Sequence, residues 1–303
     1  MEKNYAEIFE NLVQGTQDYI VGNNLNCMVI GISGGIDSTV VAAICHEVSK
    51  RINIPLIGRS LPTNHNKAGE VNSADLVGKA FCNDYKEVNI QKWYYESWSF
   101  NEHGSDYSTI AAGNIQARLR MIYLYNLASI HGGLVMDTDN LTENNLGYFT
   151  IHGDVGDFNP IGGLWKTEVF ELAEWLVNYY SQSTYRPKNI PSENLYAAMR
   201  FEETDQSVAI KESLKLKPTA GLGITNNDLE EIGAESYNQV DTILQRLVSW
   251  RSRERDMFQT ISEQYKCFLE EHNIQGIPSK IIEAVATRHF RSEFKRKHLP
   301  IKL

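Results

Sequence analysis

Apolar positions along this chain alternate between two spacings. Residues 3–22 place them at helical intervals, which predicts an amphipathic helix. Residues 27–33, CMVIGIS, form a short β-branched apolar run suited to a buried strand. Val40, Val41, Ile44 and Val48 then return to helical spacing, so the stretch reads strand, tight loop, helix. Further strands are predicted at 54–61, 87–90 and 134–136, and further helices at 67–81, 114–130 and 166–180. Such alternation predicts an α/β fold with a mostly parallel, doubly wound sheet and helices on both faces. The segment 181–216 is polar and proline-interrupted, so it is expected to be mobile or partly ordered, and 226–303 is expected to form a helical C-terminal part of a single 1–303 domain.

Composition narrows the function classes. A net charge of −9 argues against general nucleic-acid binding. No apolar run approaches the roughly 18 residues that cross a bilayer, and the start, MEKNYAEIFENLVQG, is too charged for a secretory signal. Cys27, Cys45, Cys82 and Cys267 form no CxxC pair, which predicts reduced thiols, no zinc site and a cytoplasmic protein.

The sharpest chemical feature is Gly31-Ile32-Ser33-Gly34-Gly35-Ile36-Asp37-Ser38. Adjacent glycines between a strand and a helix let backbone amides approach an anion. The helix beginning near Asp37 adds free N–H groups and a positive dipole end, and Ser33 and Ser38 add hydroxyls. Asp37 suits phosphate only through a metal such as Mg²⁺. The plainer alternative is a glycine turn with an Asp/Ser helix cap. A Walker loop is excluded, because its Gly-Lys-Ser/Thr ending is missing.

These residues resemble the SGGxDS signature of the N-type ATP pyrophosphatases. Two later stretches narrow the resemblance to ammonia-dependent NAD synthetases. One is Gly113-Asn114-Ile115-Gln116-Ala117-Arg118-Leu119-Arg120-Met121. The other runs from Thr138 through Glu143, Gly147 to Thr150 and Gly153 to Asp157 as far as Leu164-Trp165-Lys166, and the likeness returns at 217–220, 237–241 and 295–296. It implies a Rossmann-like, adenine nucleotide α-hydrolase-like fold. ATP is implied at Gly31 to Ser38, Thr138, Lys166 and Thr219, and Mg²⁺ at Asp37, Glu143 and Asp154. Deamido-NAD is implied at Arg118, Asp157 and Lys295.

The residue types fit that chemistry. Carboxylates beyond the fourth strand lie at the sheet edge where α/β ligands bind. Lys166 suits charge developing on a leaving pyrophosphate, and a guanidinium such as Arg118 suits an anionic dinucleotide. Taken singly, Glu143 also reads as a helix-end charge, Asp154 as a turn residue, Lys166 as a surface lysine and Arg120 as half of a structural ion pair. The implied reaction adenylates the nicotinate carboxylate of deamido-NAD and then aminates it, giving NAD, AMP and pyrophosphate. Lys166 and Asp157 are the catalytic candidates, with Asp157 as the base toward ammonium. The chain departs from the family at Asp137, where glycine is usual, at Ile151, where lysine is usual, in a 153–157 loop one residue short, and at Phe294.

Two rivals stand beside this reading: a paralogue amidating another nucleotide-linked carboxylate, and a nucleotide-binding regulator without catalysis. The loop begins at residue 33, leaving no room upstream for a glutaminase domain, so glutamine is expected to serve poorly. The helix 114–130 is apolar over more than one stripe, which fits either cover from the same chain or a homodimer. The resemblance implies the homodimer.

Overall fold

Met28, Val29 and Ile30 are fully buried because strand β1 (Met28–Gly31) lies inside a sheet covered on both faces. The computed structural model describes residues 3–97, 109–183, 201–218, 228–254, 260–297 and 301–302. Helix α1 (Tyr5–Gly22) precedes β1, and its cap Asn4 accepts a hydrogen bond from Glu7 N at 3.3 Å. Helix α2 (Ile36–Ile52) follows, then β2 (Leu56–Ser60), α3 (Ala68–Phe81), β3 (Asp84–Glu87), α4 (Gln91–Glu96), α5 (Thr109–His131), β4 (Leu134–Met136), α6 (Leu141–Leu146), β5 (Phe158–Asn159) and α7 (Lys166–Tyr180).

The sheet order is β3-β2-β1-β4-β5, with a short C-terminal strand Ile301–Lys302 beyond β5. All its pairings are parallel, so the doubly wound α/β expectation holds. The chain runs outward one way from β1 to β3 and the other way from β4. The carboxyl ends of β1 and β4 therefore flank a crevice, the place where such sheets bind ligands. One face of the sheet packs with α1, α2, α3 and α7 in a core that includes Ile30, Val41, Ile44 and Leu172. The other face packs against α5 through Met121, Leu124 and Ala128.

Helices Tyr237–Glu254, Ile261–Glu271 and Ser279–Arg291 build a separate core around Ile243, Leu247, Phe268 and Val285. Leu146 of α6 is part of that core, so the C-terminal helices rest directly on the helix that follows β4.

Two expectations need revision. The third strand is Asp84–Glu87, upstream of 87–90. As an edge strand paired on one side with β2, it needs no apolar run, and Ile90 instead enters the core beneath α5. Helix α5 begins at Thr109 rather than 114. Within 181–216, Asp205–Lys215 is a capped helix with Ala209 and Ile210 fully buried, so that part is ordered. Its buried face is narrow and made partly of serine and alanine, which hides it in a polar average. Residues 184–200 lie outside the described residues. Among the described residues, the four cysteines are free and no helix is long and apolar enough to cross a membrane.

Candidate functional site

The loop after β1 turns on Gly34, whose φ is +86°. A Cβ at this position would meet Glu70 O at 2.3 Å and Ala74 N at 2.8 Å, so both the sign of φ and the space demand glycine. Ser73 Oγ donates to Gly34 O at 2.8 Å and ties the turn to α3. Inside the loop, Ser33 Oγ and Ser38 Oγ lie 3.1 Å apart, and Gly35 N donates to Ser33 Oγ at 3.2 Å. Gly35 caps α2, which puts Asp37 in the first turn of a helix whose amino end faces the crevice.

The end of β4 supplies the opposite wall. Asn140 and Glu143 form a reciprocal cap on α6: Glu143 N donates to Asn140 Oδ1 at 3.0 Å, and Asn140 N donates to Glu143 Oε2 at 3.2 Å. Asn140 Nδ2 also donates to Asp37 Oδ1 at 2.9 Å, which joins the two walls. Lys166, at the start of α7, is 1% exposed. Its ammonium donates to Asp37 Oδ2 at 2.5 Å and to Glu143 Oε1 at 2.9 Å. Burial alone would lower the Lys166 pKa, but the carboxylates of Asp37 and Glu143 outweigh it and hold the group well above its ordinary value. Asp241 fixes this corner from the C-terminal helices. It accepts from Thr142 Oγ1 at 2.5 Å and from Thr167 N at 3.0 Å, while Lys166 N donates to Thr142 Oγ1 at 2.8 Å.

Ser33, Asp37, Ser38, Thr138, Glu143, Asp154 and Lys295 thus line one cavity of 580 Å³. Arg120 lines it too; its Nε donates to Leu61 O at 3.0 Å, and burial pulls it down to about 10 against the pull of Asp154 and Glu70. Lys295 Nζ donates to Gly147 O at 2.8 Å and Phe149 O at 2.6 Å, holding the 147–150 turn at the rim. Asp154 accepts from Thr150 N at 2.6 Å. Burial pushes it up to about 7, although Lys295, Arg120 and Arg118 oppose the rise. Asp139 is raised well above the carboxylate range, first by burial and then by the charges of Asp137, Asp154, Glu143 and Asp37. Dense negative charge against a glycine loop suits a ligand that arrives with cations.

Asp37 and Glu143 are brought together by Lys166, whereas Asp154 is bonded to the backbone of Thr150. Among the described residues, no group of three or more His, Cys, Asp or Glu side chains gathers into a metal cage. Arg118 lines a second cavity of 520 Å³ with Ile122, Tyr125, Ile151 and His152, on the outer side of α5. It donates to Ile151 O at 3.4 Å. Asp157 accepts from Val135 N at 2.9 Å and Tyr125 OH at 3.1 Å, so its carboxylate is bound into the edge of β4. Thr219 lies outside the described residues. Sequence reasoning assigned no role to Asn140, Asp241 or Asp139. The Asn140–Glu143 spacing of a capping box was a local signal for the first, whereas Asp241 meets α7 only through the fold.

The NAD synthase family matches residues 8–299. The NH3-dependent NAD(+) synthetase of Pyrococcus horikoshii is 30% identical over 295 residues, covering 97% of this chain and 94% of that protein. That of Thermoplasma acidophilum is 34% identical over 242 residues, covering 79% and 83%. Among solved structures, NMN synthetase from Francisella tularensis superposes with a TM-score of 0.69 at 26% identity, covering 97% of each chain. NH3-dependent NAD synthetase from Campylobacter jejuni has a TM-score of 0.64 at 22% identity over the whole of both chains, a likeness of fold.

Proposed function

The chain belongs to the NAD synthase family, and on that premise we propose that it amidates deamido-NAD with ammonia, using ATP and releasing AMP and pyrophosphate. The observation that carries this reading is that Ser33, Asp37, Ser38 and Thr138 line one cavity, with the buried ammonium of Lys166 bonded to Asp37 of that lining. The nicotinate carboxylate attacks the α-phosphate of ATP to give an acyl adenylate. Ammonia then attacks the activated carbonyl and displaces AMP. Backbone amides around Gly34 and Gly35, with the hydroxyls of Ser33 and Ser38, hold the departing pyrophosphate, and Thr138 holds ATP from the β4 side. Lys166 moves its charge from Asp37 and Glu143 toward the phosphates as negative charge builds there. Groups of this kind are each worth about 3–4 kcal/mol of barrier.

Asp37, Glu143 and Asp154 offer hard carboxylate oxygens in the cavity lining, and these donors fit Mg²⁺, which takes one or two carboxylates plus substrate phosphates. Bound there, it would neutralise phosphate charge. Asp157 serves the substrate side by orienting Tyr125 and the loop that carries Asp154, and its bonds to Val135 and Tyr125 argue against a role as base. Arg118 and Lys295 line different cavities of one chain, so both meet deamido-NAD in a homodimer that pairs through α5. Its cytoplasmic setting follows from the biosynthetic substrates.

The direct test supplies purified protein with ATP, Mg²⁺, deamido-NAD and ammonium. NAD, AMP and pyrophosphate are expected in equal amounts, and ADP with phosphate would overturn the reading. A second reading is favoured by the Francisella likeness and by the uncharged Ile151 in the Arg118 cavity: the acid amidated is nicotinate mononucleotide. Comparing kcat/KM for the two acids decides between them.

A further inference from the structure

Asp137 follows β4, is 1% exposed, and is absent from the cavity lining. Its carboxylate nevertheless gathers three N–H donors from three stretches of chain. Oδ1 accepts from Asp139 N at 2.7 Å and from Asn159 Nδ2 at 2.9 Å, and Oδ2 accepts from Gly156 N at 2.9 Å. Asn159 Nδ2 also donates to Asp139 O at 2.7 Å, and Asn159 Oδ1 accepts from Ile161 N at 3.1 Å. The approach of the 153–157 loop is close: a Cβ on Gly156 would lie 2.7 Å from both Asp137 N and Val135 O. One buried carboxylate therefore joins the turn that carries Thr138 and Asp139 to the loop that carries Asp154. Both segments line the same cavity.

We infer that Asp137 is a positioning residue for the reaction, a clamp that sets the spacing between the Thr138–Asp139 turn and the Asp154 loop, and through it the placement of the carboxylate substrate against ATP. A buried carboxylate is costly unless hydrogen-bonded, and all three of its contacts are donors, so the site is built for an acceptor on both oxygens. Misplacing reacting groups by about 1 Å can cost about a hundredfold in rate. A clamp that touches neither substrate acts through such placement.

Asp137→Asn keeps the shape but converts one oxygen to a donor, which faces an N–H whichever way the amide turns. A loss of that size, about 1.4 kcal/mol, is about tenfold. With ATP saturating, the KM for deamido-NAD is expected to rise about tenfold, with KM for ATP nearly unchanged. The Gly156 amide should exchange hydrogen faster while amides of β1 and α2 keep their rates. Asn159→Ala removes one donor and leaves Gly156 bonded, so a smaller rise in the same KM is expected. In the wild-type protein the Gly156 amide should exchange as slowly as that of Met136, a reading that stands even if both variants fail to fold. Fast wild-type exchange at Gly156 overturns the clamp, and so does a uniform acceleration of exchange in Asp137→Asn with both KM values unchanged. The kinetic arm rests on the amidation reading and the exchange arm does not. Wild type that fails to amidate deamido-NAD defeats that reading, while slow exchange at Gly156 still supports the clamp.

Discussion

The ammonium of Lys166 stands 2.5 Å from the carboxylate of Asp37, across 129 positions of sequence. The same ammonium reaches Glu143 at 2.9 Å. A fully buried cation is thus shared between two carboxylates beside the Ser33–Ser38 loop. The shared cation keeps the two carboxylates compatible with each other.

Lys166→Met should therefore damage both function and stability. Breaking a buried ion pair from one side typically costs about 3–5 kcal/mol, and partial solvent access to Asp37 and Glu143 places this case at the lower end. Turnover should fall by at least about a hundredfold. Denaturant titrations with and without Mg²⁺ check this, because Mg²⁺ should restore more stability to the variant than to wild type. Equal stability of the two proteins in the absence of Mg²⁺ would count against the pairing.

Gly34→Ala tests the loop. Positive φ and a Cβ 2.3 Å from Glu70 O force the backbone to shift. A loss of about 2 kcal/mol is expected, with a raised KM for ATP and little change in KM for ammonium. Normal ATP kinetics in a folded variant would show that the turn is not where pyrophosphate sits.

Glu143→Gln and Asp154→Asn keep size and remove charge from the cavity lining. Turnover at limiting Mg²⁺ should fall about tenfold or more in each, far out of proportion to any loss of folding stability. A variant that keeps wild-type activity at limiting Mg²⁺ loses its assigned metal role.

Asp154 also gives a pH dependence. Burial raises its folded-state value to about 7 from an ordinary 3.8, so the folded state holds the proton more tightly than the unfolded state. Its contribution to stability is complete below about pH 4 and is lost as pH climbs to about 7. Asp137, also pushed by burial to about 7, adds to the same fall. Asp154→Asn should flatten the decline in melting temperature between about pH 4 and about pH 7. A variant whose profile parallels wild type refutes the assignment.

The exposed face of α5 bears on assembly. Ile110, Ile122 and Ile130 are 69%, 67% and 67% exposed on that helix. Light scattering at micromolar protein should report a dimer, and Ile122→Asp should yield a less active monomer. Mixing Arg118→Ala with Lys295→Ala subunits should partly restore activity, since one site of the mixed dimer is then intact. A fully active monomer rejects the shared site.

Some of this was settled within short stretches of chain. Gly34 and Gly35 after an apolar strand specify a turn whose conformation is local, and the β1–loop–α2 unit follows from hydrophobic period alone. Leu134–Met136 and Lys166–Tyr180 were read to their bounds because their burial pattern is nearly continuous or cleanly periodic. Edge strand β3 escaped that signal because it is paired on one side only, and the helix Asp205–Lys215 escaped it because its buried stripe is small. Helical geometry required that Arg118 and Arg120 diverge, yet only the packing of α5 on the sheet decided that Arg120 enters the main cavity and Arg118 the other. Likewise, the resemblance groups Asp37, Glu143 and Asp154 as carboxylates for Mg²⁺ and gives Asp157 to the substrate. The fold gave Asp37 and Glu143 to one lysine, bonded Asp154 to the backbone of Thr150 and tied Asp157 to β4. Residue type and local spacing determine what chemistry a side chain can perform. Which partner it meets depends on where separate strands end in the sheet, and that is fixed by long-range packing.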